Sequence, residues 1–221
     1  MEKRGDKKVN ISLILSGGTG SRMGGNLPKQ YQSLEDREII AYTIDALKSS
    51  LLISKVVVVA AGEYVKELAD RYDVDTTIGG DSRNASLRNG LEYIAANFPM
   101  CEKIFINEAA RPFVTTKVVD EYLDLLDQYD AVITTQPITD SLGKEGEAVT
   151  DRSQYYLIQA PEAFQFNILY EHFRAESPIT ATSQQLPSQS RVYRNFEFRN
   201  NLKITYPEDL MLAEQLMRCL Q

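Results

Sequence analysis

Three glycines, Gly17, Gly18 and Gly20, follow Ser16 in the stretch LSGGTGSRMGGNLPKQY, and two basic residues, Arg22 and Lys29, come after them. Neither common phosphate loop has this layout, because a dinucleotide fingerprint needs G-x-G-x-x-G and a P-loop sets its lysine directly on the last glycine. Glycines in such a turn let backbone N–H groups approach an anion without obstruction from Cβ, and successive N–H groups form a nest around phosphate oxygens. Arg22 and Lys29 would add fixed charge, so the stretch suits a triphosphate bound together with Mg²⁺. The alternative is a tight polar turn whose basic residues are merely solvated. Little else in the chain offers chemistry of another kind. His172 is the single histidine and has no evident partner, while Cys101 and Cys219 lie too far apart for a metal spacing or a disulfide framework.

A phosphate-binding turn needs a strand before it and a helix nearby, and the sequence provides both. Short apolar, β-branched runs at 9–15, 55–60, 103–106 and 131–134 read as buried strands. Amphipathic stretches at 38–48, 64–72, 83–97 and 117–128 read as helices between them. The alternation predicts an α/β fold with a mainly parallel sheet flanked by helices, and the glycine turn then lies at the carboxyl edge where open sheets bind ligands. The segment TYPEDLMLAEQLMRCL begins with Pro207 and two acids, a helix-start pattern. Two stretches interrupt the alternation. The polar run 143–153 reads as a hairpin tip or an excursion, and 177–190, rich in Ser, Thr, Gln and Pro, as a long loop that is either functional or disordered.

The 221 residues fit one domain, 1–221, with a solvated tail at 1–8. With 31 acidic against 24 basic residues, the chain lacks the basic excess that nucleic acid or a membrane surface would reward. No run approaches the length of a membrane span and no secretory core follows the charged N-terminus, so a reducing cytoplasm is the expected location.

Four stretches in order, LSGGTGSRMG…LPKQY, GGDSRNASLRNGL, EAARPF and NLKITYPEDLMLAE, resemble the cytidylyltransferases that make CDP-methylerythritol and CDP-ribitol, over about residues 9–214. That resemblance implies a Rossmann-like nucleotidyltransferase fold with a protruding β-arm at about 137–158. It implies a reaction in which a sugar-alcohol phosphate attacks the α-phosphate of CTP and expels pyrophosphate, with Mg²⁺ bound. The attacking phosphate needs no activating Ser, Cys or His, so the task reduces to alignment and charge neutralisation. By resemblance Arg22 and Lys29 bind the triphosphate, with Ser16 and the glycines, and Lys203 reaches the α-phosphate from a strand near the far end of the chain. Gly80, Asp81, Arg83 and Ser86 would line the cytosine and ribose pocket, although Asp81 or Ser82 also suits a helix cap. Glu108, where the family usually has Asp, would approach the metal or the acceptor hydroxyls. Arg111 would bind the acceptor or brace the site, unless the two form only a surface ion pair. Arg152 and Thr180 would meet the acceptor, with Arg152 reaching across a homodimer.

The acceptor half departs from the family pattern. Ala160-Pro161-Glu162 stands where TPQ is usual, and Ala181 follows Thr180 where an acid is usual. A site built to hydrogen-bond one polyol discriminates steeply against others, so these changes bear on acceptor choice. Two other readings keep the opening loop: a nucleotidyltransferase acting on another sugar phosphate or on molybdopterin, and a nucleotide-binding relative without catalysis.

Overall fold

The computed structural model describes residues 8–18 and 27–220. β1 (Val9–Ser16) is followed by a short hairpin, β2 (Ser33–Leu34) and β3 (Arg37–Glu38), and then α1 (Ile39–Lys48), β4 (Lys55–Ala60), α2 (Gly62–Tyr72) and β5 (Asp75–Ile78). α3 (Arg83–Asn97), β6 (Cys101–Glu108), α4 (Thr116–Leu125) and β7 (Ala131–Pro137) come next. β8 (Tyr156–Gln165), α5 (Phe166–His172), β9 (Val192–Asn195) and α6 (Pro207–Leu220) complete the order. The main sheet has seven strands among the described residues, in the order β5-β4-β1-β6-β8-β7-β9. β8 alone runs against its neighbours, pairing antiparallel with β6 and β7, and every other pairing in this sheet is parallel.

The strands sit between two layers of helix, which is why they read as near-continuous apolar runs. Alternate residues feed opposite faces. Ile14, Val56, Val58, Phe105 and Val132 pack with residues of α1, α2 and α4 on one side. Ile11, Leu13, Val57, Val59, Ile104 and Ile106 pack with residues of α3 and α5 on the other. A third cluster, Leu34, Ile39, Phe113, Ile204 and Ala213, docks α6 and the chain before it onto the hairpin and α1.

Gly90 lets α3 lie close on the sheet. A Cβ there would sit 2.8 Å from both Leu13 methyls and 2.9 Å from Val59 Cγ2. Gly90→Ala is expected to lower stability by about 1–3 kcal/mol in chemical denaturation, because the fully buried Leu13 and the χ1-stiff Val59 must give way. Helix propensity alone favours alanine by about 1 kcal/mol, so a net gain in stability would show that the packing is looser than this.

The expected strands and helices are present, with α4 ending earlier and β6 and β7 running longer than their apolar runs. The 143–153 excursion belongs to the connection between the antiparallel neighbours β7 and β8, with a 3₁₀ turn at Arg152–Gln154. One placement needs correcting. Lys203 lies outside any strand, in a segment without regular structure whose main chain bonds to the loop after β6 through Ile204 N–H and the Ala110 carbonyl, 2.9 Å apart. β5, β8, β9, the β2–β3 hairpin and α5 were not expected from the sequence.

Candidate active site

Parallel register sets the site. Ser16 pairs with Ala60 and Leu15 with Glu108, so β1, β4 and β6 end at one edge. The chains leaving them stay together there, through Gly79 N–H to the Ala60 carbonyl at 2.8 Å and Ala109 N–H to the Leu15 carbonyl at 3.0 Å. Between them lies a cavity of about 400 Å³ lined by Ser16, Gly17, Gly18, Lys29, Gln30, Gly80, Asp81, Arg83, Ser86, Glu108 and Lys203, among others. Residues from the start, middle and far end of the chain therefore converge. Gly20 and Arg22 lie outside the described residues. A larger hollow of about 740 Å³ along α4 presents Asp120, Glu121 and Asp124 with only Lys117, a lining that repels a polyanion.

The glycine turn is held from behind. Gln30 Nε2 donates to the carbonyls of Ser16 at 2.7 Å and Gly18 at 3.0 Å, and Ser16 Oγ shares a hydrogen bond of 2.9 Å with the Tyr31 hydroxyl. The sequence did not single out Gln30 or Tyr31, although both stand in the LPKQY stretch. Beside the turn, Ser82 caps α3 by accepting from Ala85 N–H at 3.0 Å, so the capping role falls to Ser82. Ser86 Oγ closes the Gly80 turn, accepting from its N–H at 3.1 Å and donating to its carbonyl at 3.2 Å. A Cβ on Gly80 would meet Ala85 Cβ at 2.6 Å, so this turn tolerates only glycine as built.

Glu108 is the electrostatic centre. Its carboxylate lies 2.8 Å from Lys203 Nζ, 3.1 Å from Arg111 Nε and 3.5 Å from Arg83 Nε. Burial alone would raise its pKa, but Lys203, then Arg111 and Arg83, outweigh it and hold the carboxyl at about 2. The Glu108–Arg111 pair is part-buried, and so is not a surface ion pair. Arg111 is 7 % exposed, and its Nη1 donates to the Asn201 carbonyl at 2.8 Å. It braces the segment that carries Lys203 and does not face the cavity. Asn201 fixes that segment further, donating to the Ala160 carbonyl at 2.7 Å and Gln159 Oε1 at 2.9 Å. With three cations around its two oxygens, Glu108 does not suit a divalent metal, and the described residues contain no cluster of three or more His, Cys, Asp or Glu that could hold one.

Arg83 spans from the cavity to the 180–182 segment. Its Nη1 donates to the Thr180 carbonyl at 3.0 Å and to Thr182 Oγ1 at 3.3 Å, and its Nη2 lies 3.8 Å from Glu162. Thr180 thereby meets the site through its main chain, with an exposed side chain. Arg152 is exposed on the β7–β8 connection, bonded to the Thr139 carbonyl, and is not among the residues lining the cavity.

A family model described as 2-C-methyl-D-erythritol 4-phosphate cytidylyltransferase matches residues 11–219. The enzyme of that description from Clostridium acetobutylicum is 31% identical over 229 residues, covering 95% of this chain and 98% of its own. The one from Cereibacter sphaeroides is 30% identical over 95% of this chain and 97% of its own. Among solved structures, 4-diphosphocytidyl-2C-methyl-D-erythritol synthase from Anaerococcus prevotii superposes with a TM-score of 0.80 at 22% identity, over 96% of this chain and 99% of that one. The cytidylyltransferase from Thermus thermophilus does so with a TM-score of 0.73 at 24% identity, over 96% and 100%. At these identities the superpositions speak to fold.

Proposed function

The chain belongs to the 2-C-methyl-D-erythritol 4-phosphate cytidylyltransferase family, which makes it a CTP-dependent nucleotidyltransferase, and from that premise we propose that it transfers CMP from CTP to 2-C-methyl-D-erythritol 4-phosphate. An acceptor phosphate oxygen attacks the α-phosphorus, the bond from that phosphorus to the bridging oxygen breaks, and pyrophosphate leaves. The observation that carries this reading is the convergence of Lys29, Lys203 and the Gly17–Gly18 turn on one cavity.

In this reading the glycine N–H groups, Lys29 and Arg22 hold the triphosphate. Lys203 faces the α-phosphate, where charge shifts as the bonds exchange. Glu108 keeps the Lys203 ammonium in place and leaves net positive charge for the substrate. Gly80, Asp81 and Ser86 receive the base and ribose. Any Mg²⁺ would travel with the triphosphate, since Glu108 does not offer it a ligand. Release of pyrophosphate from CTP with methylerythritol 4-phosphate, compared with ribitol 5-phosphate, tests the reading, and turnover with neither would sink it.

The β7–β8 connection, at about 137–158, is the proposed dimer arm, with Arg152 serving the partner's acceptor pocket. Its exposed Val149 and Tyr155, with exposed Leu157 at the start of β8, support this by offering apolar surface to a second copy. Sedimentation is expected to give a dimer, and a monomer at assay concentration would refute it. No helix among the described residues is long and apolar enough to cross a membrane. A cytoplasmic enzyme with small-molecule substrates, and neither nucleic acid nor a membrane as partner, is the reading that accords with the chain's acidic balance.

A further inference from the structure

Glu162 is the least accommodated ionisable group near the site. It is 2 % exposed, on the reversed strand β8, where the ladders on either side set it against Ile106 and Ile133. One carboxylate oxygen accepts from Ser183 N–H at 3.3 Å and the other lies 3.8 Å from Arg83 Nη2. Burial raises its pKa despite Arg83 and the bonds from the 182–183 turn. A buried acid so weakly compensated costs stability, so its presence calls for another explanation.

The segment in front of it supplies one. Neighbouring residues at the start of α3 clasp 177–182: Asn84 Nδ2 donates to the carbonyls of Ser177 at 3.0 Å and Ile179 at 2.9 Å, and Arg83 Nη1 to Thr180 and Thr182. Glu162 joins the clasp by accepting from Ser183 N–H. A buried oxygen in it, Asn84 Oδ1, has no hydrogen-bond partner among the described residues, so the arrangement is not tuned for stability alone. Arg83 is shared by two acids. Its Nε faces Glu108 in the cavity and its Nη2 faces Glu162 behind it. Without the charge on Glu162, the guanidinium has one anion left to follow and is drawn toward Glu108, taking the Thr180 and Thr182 contacts with it. The main chain of Gly80 to Ser82 is fixed separately by Ser82 and Ser86 and need not move.

We propose that Glu162 is a positioning residue for the acceptor: through Arg83 and Ser183 it sets where the 180–183 segment stands, and so governs the fit of the polyol phosphate and not that of CTP. This rests on the proposed function. It also gives the two sequence departures a common sense, since the acid missing at Ala181 reappears at Glu162 behind the same segment.

The isosteric variant Glu162→Gln keeps the Ser183 bond and removes the charge. It is expected to raise the KM for methylerythritol 4-phosphate roughly tenfold. The Kd for CTP with Mg²⁺, measured by calorimetry, stays within about twofold, and the melting temperature is unchanged or higher because an ill-compensated buried charge is gone. Amide exchange at 180–183 becomes faster. A residue of purely structural importance would lower the melting temperature and move both substrates alike, and that result overturns the proposal, as does an unchanged acceptor KM. Should the unaltered protein turn over no polyol phosphate, the functional reading fails on its own. The exchange measurement then decides the clasp: faster exchange in the variant sustains it, and identical exchange removes it.

Discussion

Lys203→Met is expected to lower kcat roughly 10²–10³-fold in CTP-dependent pyrophosphate release, the usual cost of removing one preorganised group from a site of developing charge. Methionine preserves the unbranched stem and removes the ammonium, so packing near Ile204 changes little. The loss should fall on kcat more than on the KM for CTP. In the proposed reading Lys29 and the glycine turn bind the triphosphate in the ground state, whereas Lys203 acts where charge builds up. Glu108 keeps Arg111 and Arg83 as partners in this variant, so the fold should survive, as a melting curve would verify. A variant with normal kcat and a raised KM for CTP would mean that Lys203 only helps to gather the nucleotide.

Glu108→Gln is expected to cost about 3 kcal/mol of stability at pH 7. The Glu108 carboxyl is held at about 2 against an ordinary 4.5. Each unit of that difference corresponds to about 1.4 kcal/mol between the ionised and neutral forms, and glutamine imitates the neutral one. Because the folded-state value lies below the unfolded one, the stabilisation is fully present above about pH 4.5 and is lost as the pH falls toward 2. The melting temperatures of variant and parent should therefore differ by roughly 6–12 °C at neutral pH and converge in acid. Glu162 has the opposite sign, a raised carboxyl that weakens the fold as it ionises, but both proteins carry it and the difference cancels. Equal melting temperatures at pH 7 would show that the three cations are satisfied by solvent. Activity should fall as well, since Lys203 loses the anion that fixes it.

What the sequence revealed follows from how far each interaction reaches along the chain. The strands of the nucleotide edge are buried on both faces, so their apolar runs stand out, and the cap and periodicity of α3 are local. β8 escaped notice because Pro161, Gln159 and Glu162 interrupt its apolar character, and a proline speaks against an interior strand. The structure accommodates it at the register shift between Ile133 and Thr134, which pair with Glu162 and Gln159 and leave residues 160 and 161 unmatched. β9 is four residues long and only partly buried, too short for alternation to register. The site residues divide in the same way. Ser16, the glycines and Lys29 stand in one motif, whereas the partners of Arg83 lie 25 to 99 residues away and the partner of Arg111 on the last segment lies 90 away, distances at which spacing carries no signal. Lys203 was legible by resemblance, but the role of Glu162 needed the fold.

The reversed strand divides the sheet into two parcels. On one side β5, β4, β1 and β6 share a parallel register that fixes the glycine turn, the Gly80 turn and Glu108. On the other, β7 pairs with β8, and β9 joins the sheet only through β7. Lengthening or exchanging the β7–β8 connection or the 177–190 segment leaves the first parcel's ladders untouched. β8 thus serves as a seam along which a different acceptor pocket can be grafted while the nucleotide edge is inherited whole, and chimeras spliced there should keep CTP affinity while they exchange the sugar alcohol they accept.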